Sequence, residues 1–159
     1  MKSNQLNYII IYLLLFFLIG CSSTYEDSID QVEVEEKQAK SVKLEDKRFF
    51  INQVIEGKSV DREVILRVPI NLDTLLNYPI VFAFHGRGTD NDTWINKLNH
   101  LMSLGEFVGV YPQGYEKMWN SGGNESSKAD DVAFVGDIID ELKEYKNLDF
   151  ERIYAIGTS

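Results

Sequence analysis

The chain has 159 residues, with 16 Lys and Arg against 25 Asp and Glu and a formal net charge of −9. That length suits one domain, and 44% hydrophobic with 26% charged residues is a globular composition. The acid excess excludes a phosphate-backbone binder, which starts from clustered positive charge. One cysteine excludes an internal disulfide and a Cys-rich zinc site, and two histidines leave little for a His-based metal centre.

Lys2 precedes an unbroken apolar run, YIIIYLLLFFLI, over residues 8–19. As a helix it would span about 18 Å, short of the roughly 30 Å hydrocarbon core, so the pattern predicts a signal peptide and not a membrane span. The run closes on Leu18-Ile19-Gly20-Cys21 ahead of Ser22-Ser23. This resembles a bacterial lipobox, and the resemblance implies cleavage before Cys21 and lipidation of that residue, the only cysteine present. Residues 22–47 carry eight acids, four lysines and no glycine or proline, with too few apolar side chains to bury. The expected layout is a lipoprotein signal peptide over 1–20, an acidic tether over 21–47 and a folded domain over 48–159. The expected location is the outside of a bacterial membrane (outer membrane or cell surface), with acyl chains as the anchor.

From Phe49 the pattern alternates between strand and helix. Residues 49–55 and 62–69 are rich in β-branched and aromatic residues and flank Glu56-Gly57-Lys58, which predicts a hairpin. Pro79-Ile80-Val81-Phe82-Ala83-Phe84 has no polar residue, as a strand buried on both faces requires. A polar loop leads to a helix predicted over 93–104, then to a buried strand over 107–111. After a long Gly-, Ser- and Asn-rich loop, Asp130 or Asp131 can cap a helix. Val132, Val135, Ile138, Ile139 and Leu142 are spaced to form its buried face. Residues 149–152 turn the chain into a last strand over 153–156. A hairpin followed by β-α-β-α-β predicts a three-layer α/β domain with a mostly parallel sheet.

In open α/β sheets, sites form beyond the carboxyl ends of strands. Two segments sit there: His85-Gly86-Arg87-Gly88 and Gly157-Thr158-Ser159. Glycines in the first let the backbone turn and present N–H groups to an oxygen. A serine in G-x-S-x-G rides on a tight strand-to-helix turn that lifts its hydroxyl above the sheet. His100 falls on a helix away from these ends and reads as a surface histidine. Capping accounts for Asp130 and Asp131 more economically than paired catalytic carboxylates do. Arg87 reads as an exposed loop arginine, and Trp119 serves packing or a pocket equally well. The sequence contains no phosphate loop, metal-ligand cluster or flavin motif, so no cofactor is expected.

From residue 49 to 159 the chain resembles the α/β-hydrolase fold. Within that fold it resembles the secreted esterase family of polyhydroxybutyrate depolymerase-like and feruloyl esterase-like proteins. The resemblance is carried by PIVFAFHGRGTD over 79–90, Trp94, VGVYPQG over 108–114 and Trp119-Asn120. Asp130-Asp131-Val132-Ala133-Phe134 and DFERIYAIGTS over 149–159 complete it. It implies that Ser159 is the nucleophile and that the loop of His85, Gly86, Arg87 and Gly88 lends an oxyanion N–H. Apart from the resemblance, Trp119 and Asn120 could line a substrate pocket, since their loop leaves the carboxyl end of a strand, with packing the equal alternative for Trp119. The resemblance also implies a triad Asp and then His, in that order, downstream of residue 159. The expected sheet is therefore an α/β-hydrolase sheet cut after its fifth strand, and the expected function is a lipid-anchored extracytoplasmic serine esterase. The 159 residues alone are expected to be inactive. An inert or binding-only lipoprotein fragment and a serine peptidase of the same fold are the alternatives. The partners implied are a polymeric or plant-derived ester and the membrane, with no nucleic acid.

Overall fold

The computed structural model describes residues 42–122 and 127–158; Cys21 and Ser159 lie outside the described residues. Five strands form one sheet in the order β1-β2-β4-β3-β5. β1 (Lys47–Ile55) and β2 (Lys58–Arg67) pair antiparallel, joined by a two-residue turn in which Glu56 and Gly57 both have positive φ, 49° and 77°. That turn matches the right-handed twist of the flanking strands. β2 runs antiparallel to β4 (Val108–Pro112), while β3 (Tyr78–Phe84) runs parallel to β4 and to β5 (Leu148–Gly157). Two parallel and two antiparallel pairings make the sheet mixed.

One helix covers each face. α1 (Thr93–Ser103) presses Leu98 and Met102 onto Ile65, Ala83 and Tyr111. α2 (Asp131–Leu142) presses Phe134, Ile138 and Leu142 onto Val64, Leu66, Ile80, Phe82 and Val110. Each of the three α2 side chains contributes roughly 1.5–3 kcal/mol by leaving water. The face differs from the sequence expectation in one respect: Val132 is 86% exposed, and Phe134 is the buried residue of the first turn. At about 100° per residue, Val132 lies roughly 120° around the helix from the Phe134–Ile138–Leu142 line. The domain also starts earlier than expected. Val42 bridges Tyr145 and Leu44 is buried, so the last residues of the expected tether pack onto the fold. Among the described residues no helix is long and apolar enough to cross a membrane.

The topology gives the domain two ends. β3, β4 and β5 all finish at one of them, and α1 and α2 run back toward the other. Within β4, the Tyr111 ring lies so close to Gly109 that a Cβ there would meet its hydroxyl at 2.6 Å. That hydroxyl is buried and finds no hydrogen-bond partner among the described residues. Burial pushes it from its ordinary 10.0 up to about 12. The folded state thus holds this proton more tightly than the unfolded chain. The contribution to stability is complete below pH 10 and is lost as pH rises toward 12. Urea denaturation of the native protein should show stability falling by at most ~1.4 kcal/mol per pH unit across that window. Tyr111→Phe should remove this slope and cost little at neutral pH, because the hydroxyl makes no bond to lose. Equal slopes in the two proteins would refute the assignment.

Candidate active site

The loop after β3 is held by the chain's two tryptophans and by a buried histidine. Trp94 Nε1 donates to the Phe84 carbonyl at 2.9 Å, and Trp119 Nε1 donates to the His85 carbonyl at 2.8 Å. The His85 ring is fully buried. Its Nε2 accepts the Gly114 N–H at 2.9 Å, which places the ring proton on Nδ1, where it is donated to the Gly86 carbonyl at 2.8 Å. The Gln113 side-chain amide approaches the same Nε2 at 3.0 Å. The ring therefore fastens the β3 loop to the β4 loop, and both its nitrogens are engaged. Gly114 has to be glycine: a Cβ would meet the Met118 carbonyl oxygen at 2.4 Å and His85 Nε2 at 3.2 Å.

The loop itself makes a tight turn. Thr89 N–H donates to the Gly86 carbonyl, and Gly88, at φ 79°, donates its N–H to the Lys117 carbonyl at 2.8 Å. Gly88 is thereby committed, and among the described residues the N–H groups of Gly86 and Arg87 have no backbone acceptor. Arg87 is exposed, as its loop position suggests. Asp90 and Lys117 form an ion pair at 2.9 Å that ties the outer edges of the two loops.

The end of β5 meets this loop directly. Thr158 N–H donates to the Phe84 carbonyl at 3.2 Å. A Cβ on Gly157 would stand 3.2 Å from that same oxygen, so glycine allows the two strand ends to approach. The structure thus brings residues 84–88 and residues 157–158 together. Ser159 follows Thr158 in the chain but lies outside the described residues.

Trp119 both packs and lines space. Its ring meets Phe84 edge-on at 5.1 Å and lies 5.0 Å from the His85 ring. With Phe84, Val132 and Val135 it borders an open apolar cavity of about 410 Å³ beside the strand ends. Asn120 is used internally, its amide donating to the Ala129 carbonyl at 3.0 Å and its carbonyl accepting from Gly122 N–H. His100 is exposed on α1, away from the strand ends.

The largest departure from the sequence expectation lies beneath these loops. Asp130 caps α2, accepting the Ala133 N–H at 2.9 Å, but Asp131 pairs with Arg62 at 2.7 Å. The Arg62 side chain is 2% exposed. It donates to the Gln113 carbonyl from Nε and Nη2 and to Gln53 Oε1, and its guanidinium lies 3.6 Å from the Phe134 ring centroid. Burial pushes this guanidinium below its ordinary value, and the Asp131 carboxylate opposes that shift. Gln113 collects further bonds: its N–H donates to the Glu63 carbonyl and its Oε1 accepts from Asn91 N–H. Arg62 and Gln113 join β2, the β4 loop and the start of α2 beneath the candidate site. One sequence signal pointed to Arg62, namely that it shares its strand face with Val64 and Leu66.

No family model matches the chain. A bifunctional acetylxylan esterase/xylanase, XynS20E, from Neocallimastix patriciarum is 30% identical over 114 residues, covering 69% of this chain and 16% of that protein. Among solved structures, a thermostable esterase has a TM-score of 0.51 and 23% identity, with 70% of this chain and 34% of that one aligned. The S-formylglutathione hydrolase FrmB from Staphylococcus aureus has a TM-score of 0.50 and 9% identity, with 72% and 48% aligned. The chain thus spans about a sixth of that relative's length and a third to a half of these structures. At these identities the structural likeness speaks for the fold, and the mixed sheet, its strand order and the flanking helices agree with it: the chain folds as five strands of an α/β-hydrolase sheet.

Proposed function

We propose that this chain supplies the nucleophile and oxyanion side of a serine carboxylic-ester hydrolase, held outside the cytoplasm by a lipid on Cys21. The observation that supports this most is the meeting of two strand ends. The Thr158 N–H is bonded to the Phe84 carbonyl, and among the described residues the Gly86 and Arg87 N–H groups of the adjoining loop have no backbone acceptor. Ser159 Oγ would attack the ester carbonyl, and those N–H groups would stabilise the oxyanion. Collapse of the tetrahedral intermediate would expel the alcohol, and water would then release the acyl group. Neither histidine of the chain suits the role of base, since the His85 ring is engaged at both nitrogens and His100 is remote. The reading therefore assigns the triad Asp and His to sequence downstream of Ser159.

The cavity beside Trp119 suits an apolar or aromatic acyl group. Together with the acetylxylan esterase relative, this favours a plant-derived ester, with a polyhydroxyalkanoate as the depolymerase-like option. In this layout, residues 1–20 direct export, 21–47 include the tether and 48–159 belong to the hydrolase domain. Two labels on the native gene product test the reading. A fatty-acid analogue should enter the wild type and not Cys21→Ala. A fluorophosphonate probe should modify Ser159, located by peptide mass spectrometry, and leave Ser159→Ala unmodified. Probe attachment at another residue would refute the nucleophile, and equal fatty-acid label in both proteins would refute the anchor.

A further inference from the structure

The end of the domain opposite the candidate site carries several exposed apolar side chains. Leu75 is 91% exposed and Ile70 77%, and Leu76, Leu104 and Val42 are also exposed. They account for five of the eleven exposed large hydrophobics among the described residues. The fold gathers them at one end. Ile70, Leu75 and Leu76 lie on the connection from the end of β2 to the start of β3, and Leu104 caps the far end of α1. Asn147 donates to the Thr74 and Leu76 carbonyls, and Val42 N–H donates to the Glu144 carbonyl, so the connection and the entering chain share the segment after α2. Ile70 and Met102 border one crevice, which brings the last turn of α1 to the same end.

We propose that this end rests on the lipid bilayer, so that the candidate site faces away from it. The inference relies on the lipid anchor proposed above for Cys21. The described chain begins at Val42, at this same end, 21 residues after Cys21. Fully extended, that length reaches about 70 Å, so the tether alone sets no orientation. It does hold the domain at high local concentration over the membrane, where a weak apolar contact suffices to dock it. Charge does not drive the contact. Asp73, Glu106, Glu144 and Lys146 at this end are exposed and of mixed sign, and the chain as a whole is acidic. Inserted leucine and isoleucine side chains are the means of attachment, as in interfacial segments that bury their apolar face at the headgroup boundary. An ester substrate arriving from the surroundings would then meet the open end of the sheet.

The test uses the full-length lipidated protein on vesicles of phosphatidylethanolamine and phosphatidylglycerol that contain nitroxide-labelled acyl chains. With Cys21 acylated, an introduced cysteine is the only free thiol within residues 1–159, and any cysteine downstream is replaced by serine. An environment-sensitive fluorophore is placed at Leu75→Cys or Leu104→Cys, at the apolar end, or at Asp92→Cys, at the opposite end. Protein that floats with the vesicles should show several-fold stronger lipid quenching at 75 and 104 than at 92, unchanged by high salt. Adding Ile70→Asp and Leu76→Asp should reduce quenching at 104 to the level at 92. Floating protein with equal quenching at all three positions overturns the docking and leaves the anchor intact. So does a label at 75 shielded from both water and lipid, because another part of the protein or a second copy would then cover this end. Protein that fails to float overturns the anchor and the docking together.

Discussion

Arg62→Met should destabilise the domain by about 3–5 kcal/mol, the usual cost of removing one partner from a buried ion pair. The Asp131 carboxylate, 12% exposed, would lose its counter-charge. The Gln113 carbonyl would lose two donors, and Gln53 Oε1 would lose the Arg62 Nη1 bond. Methionine fills part of the volume above Phe134 but offers no donor. The double variant Arg62→Met with Asp131→Met should recover a substantial part of the loss, because it leaves no uncompensated charge. Chemical denaturation of the native protein measures both. Trp119 lies 5.7 Å from the Arg62 guanidinium, so its fluorescence should shift in the single variant even under conditions where the fold persists. A loss below about 1 kcal/mol for Arg62→Met would show that the pair does not hold the loops together.

His85→Ala should cost about 3–5 kcal/mol, combining a cavity with loss of the acceptor that His85 Nε2 offers the Gly114 N–H. His85→Gln should lose less, since its side-chain oxygen can accept that N–H. Gly114→Ala attacks the same contact from the other side, and its Cβ must displace the Met118 carbonyl or the His85 ring. Overpacking of that kind costs about 1–3 kcal/mol. On the proposed function each variant should also lower ester turnover, because the His85 ring positions the loop that carries the Gly86 and Arg87 N–H groups. The discriminating readout is the pH profile. A positioning residue changes the height of the profile and leaves its acid limb in place, whereas loss of a general base removes that limb. A vanished acid limb in His85→Gln would make the histidine a catalytic residue and overturn its structural role.

The strands were readable because burial on two faces leaves an unbroken apolar run, as in residues 79–84, and because Glu56-Gly57 satisfies a hairpin turn locally. The cap of α2 was readable down to a choice between two aspartates. What separates them is long-range: Asp131 goes to Arg62, 69 positions away, and nothing near Asp131 in sequence announces that partner. The α2 face was misread at its first turn because spacing counted from Val132 fits several faces when the helix carries apolar residues at 132, 134 and 135. The sheet selects the one that contains Phe134. The loop of His85 stood out through its glycines and its place after a buried strand. The use of the imidazole as a tie depends on Gly114, 29 residues away, and on the sheet placing β3 beside β4. Gln113 gave no local signal, since Arg62, Glu63, His85 and Asn91 become its neighbours only when β2, β3 and β4 are assembled.

The role proposed for the two strand ends, the nucleophile and oxyanion side of an ester hydrolase, has a direct readout. Turnover of a short-chain aryl ester by the native gene product, extracted from membranes and compared with its Ser159→Ala variant, tests it most directly. Hydrolysis should depend on Ser159, with the variant lower by about 10³-fold or more, since removing the nucleophile of such a site costs about as much as removing the whole triad. No hydrolysis by the native product, or equal hydrolysis by both proteins, would contradict it.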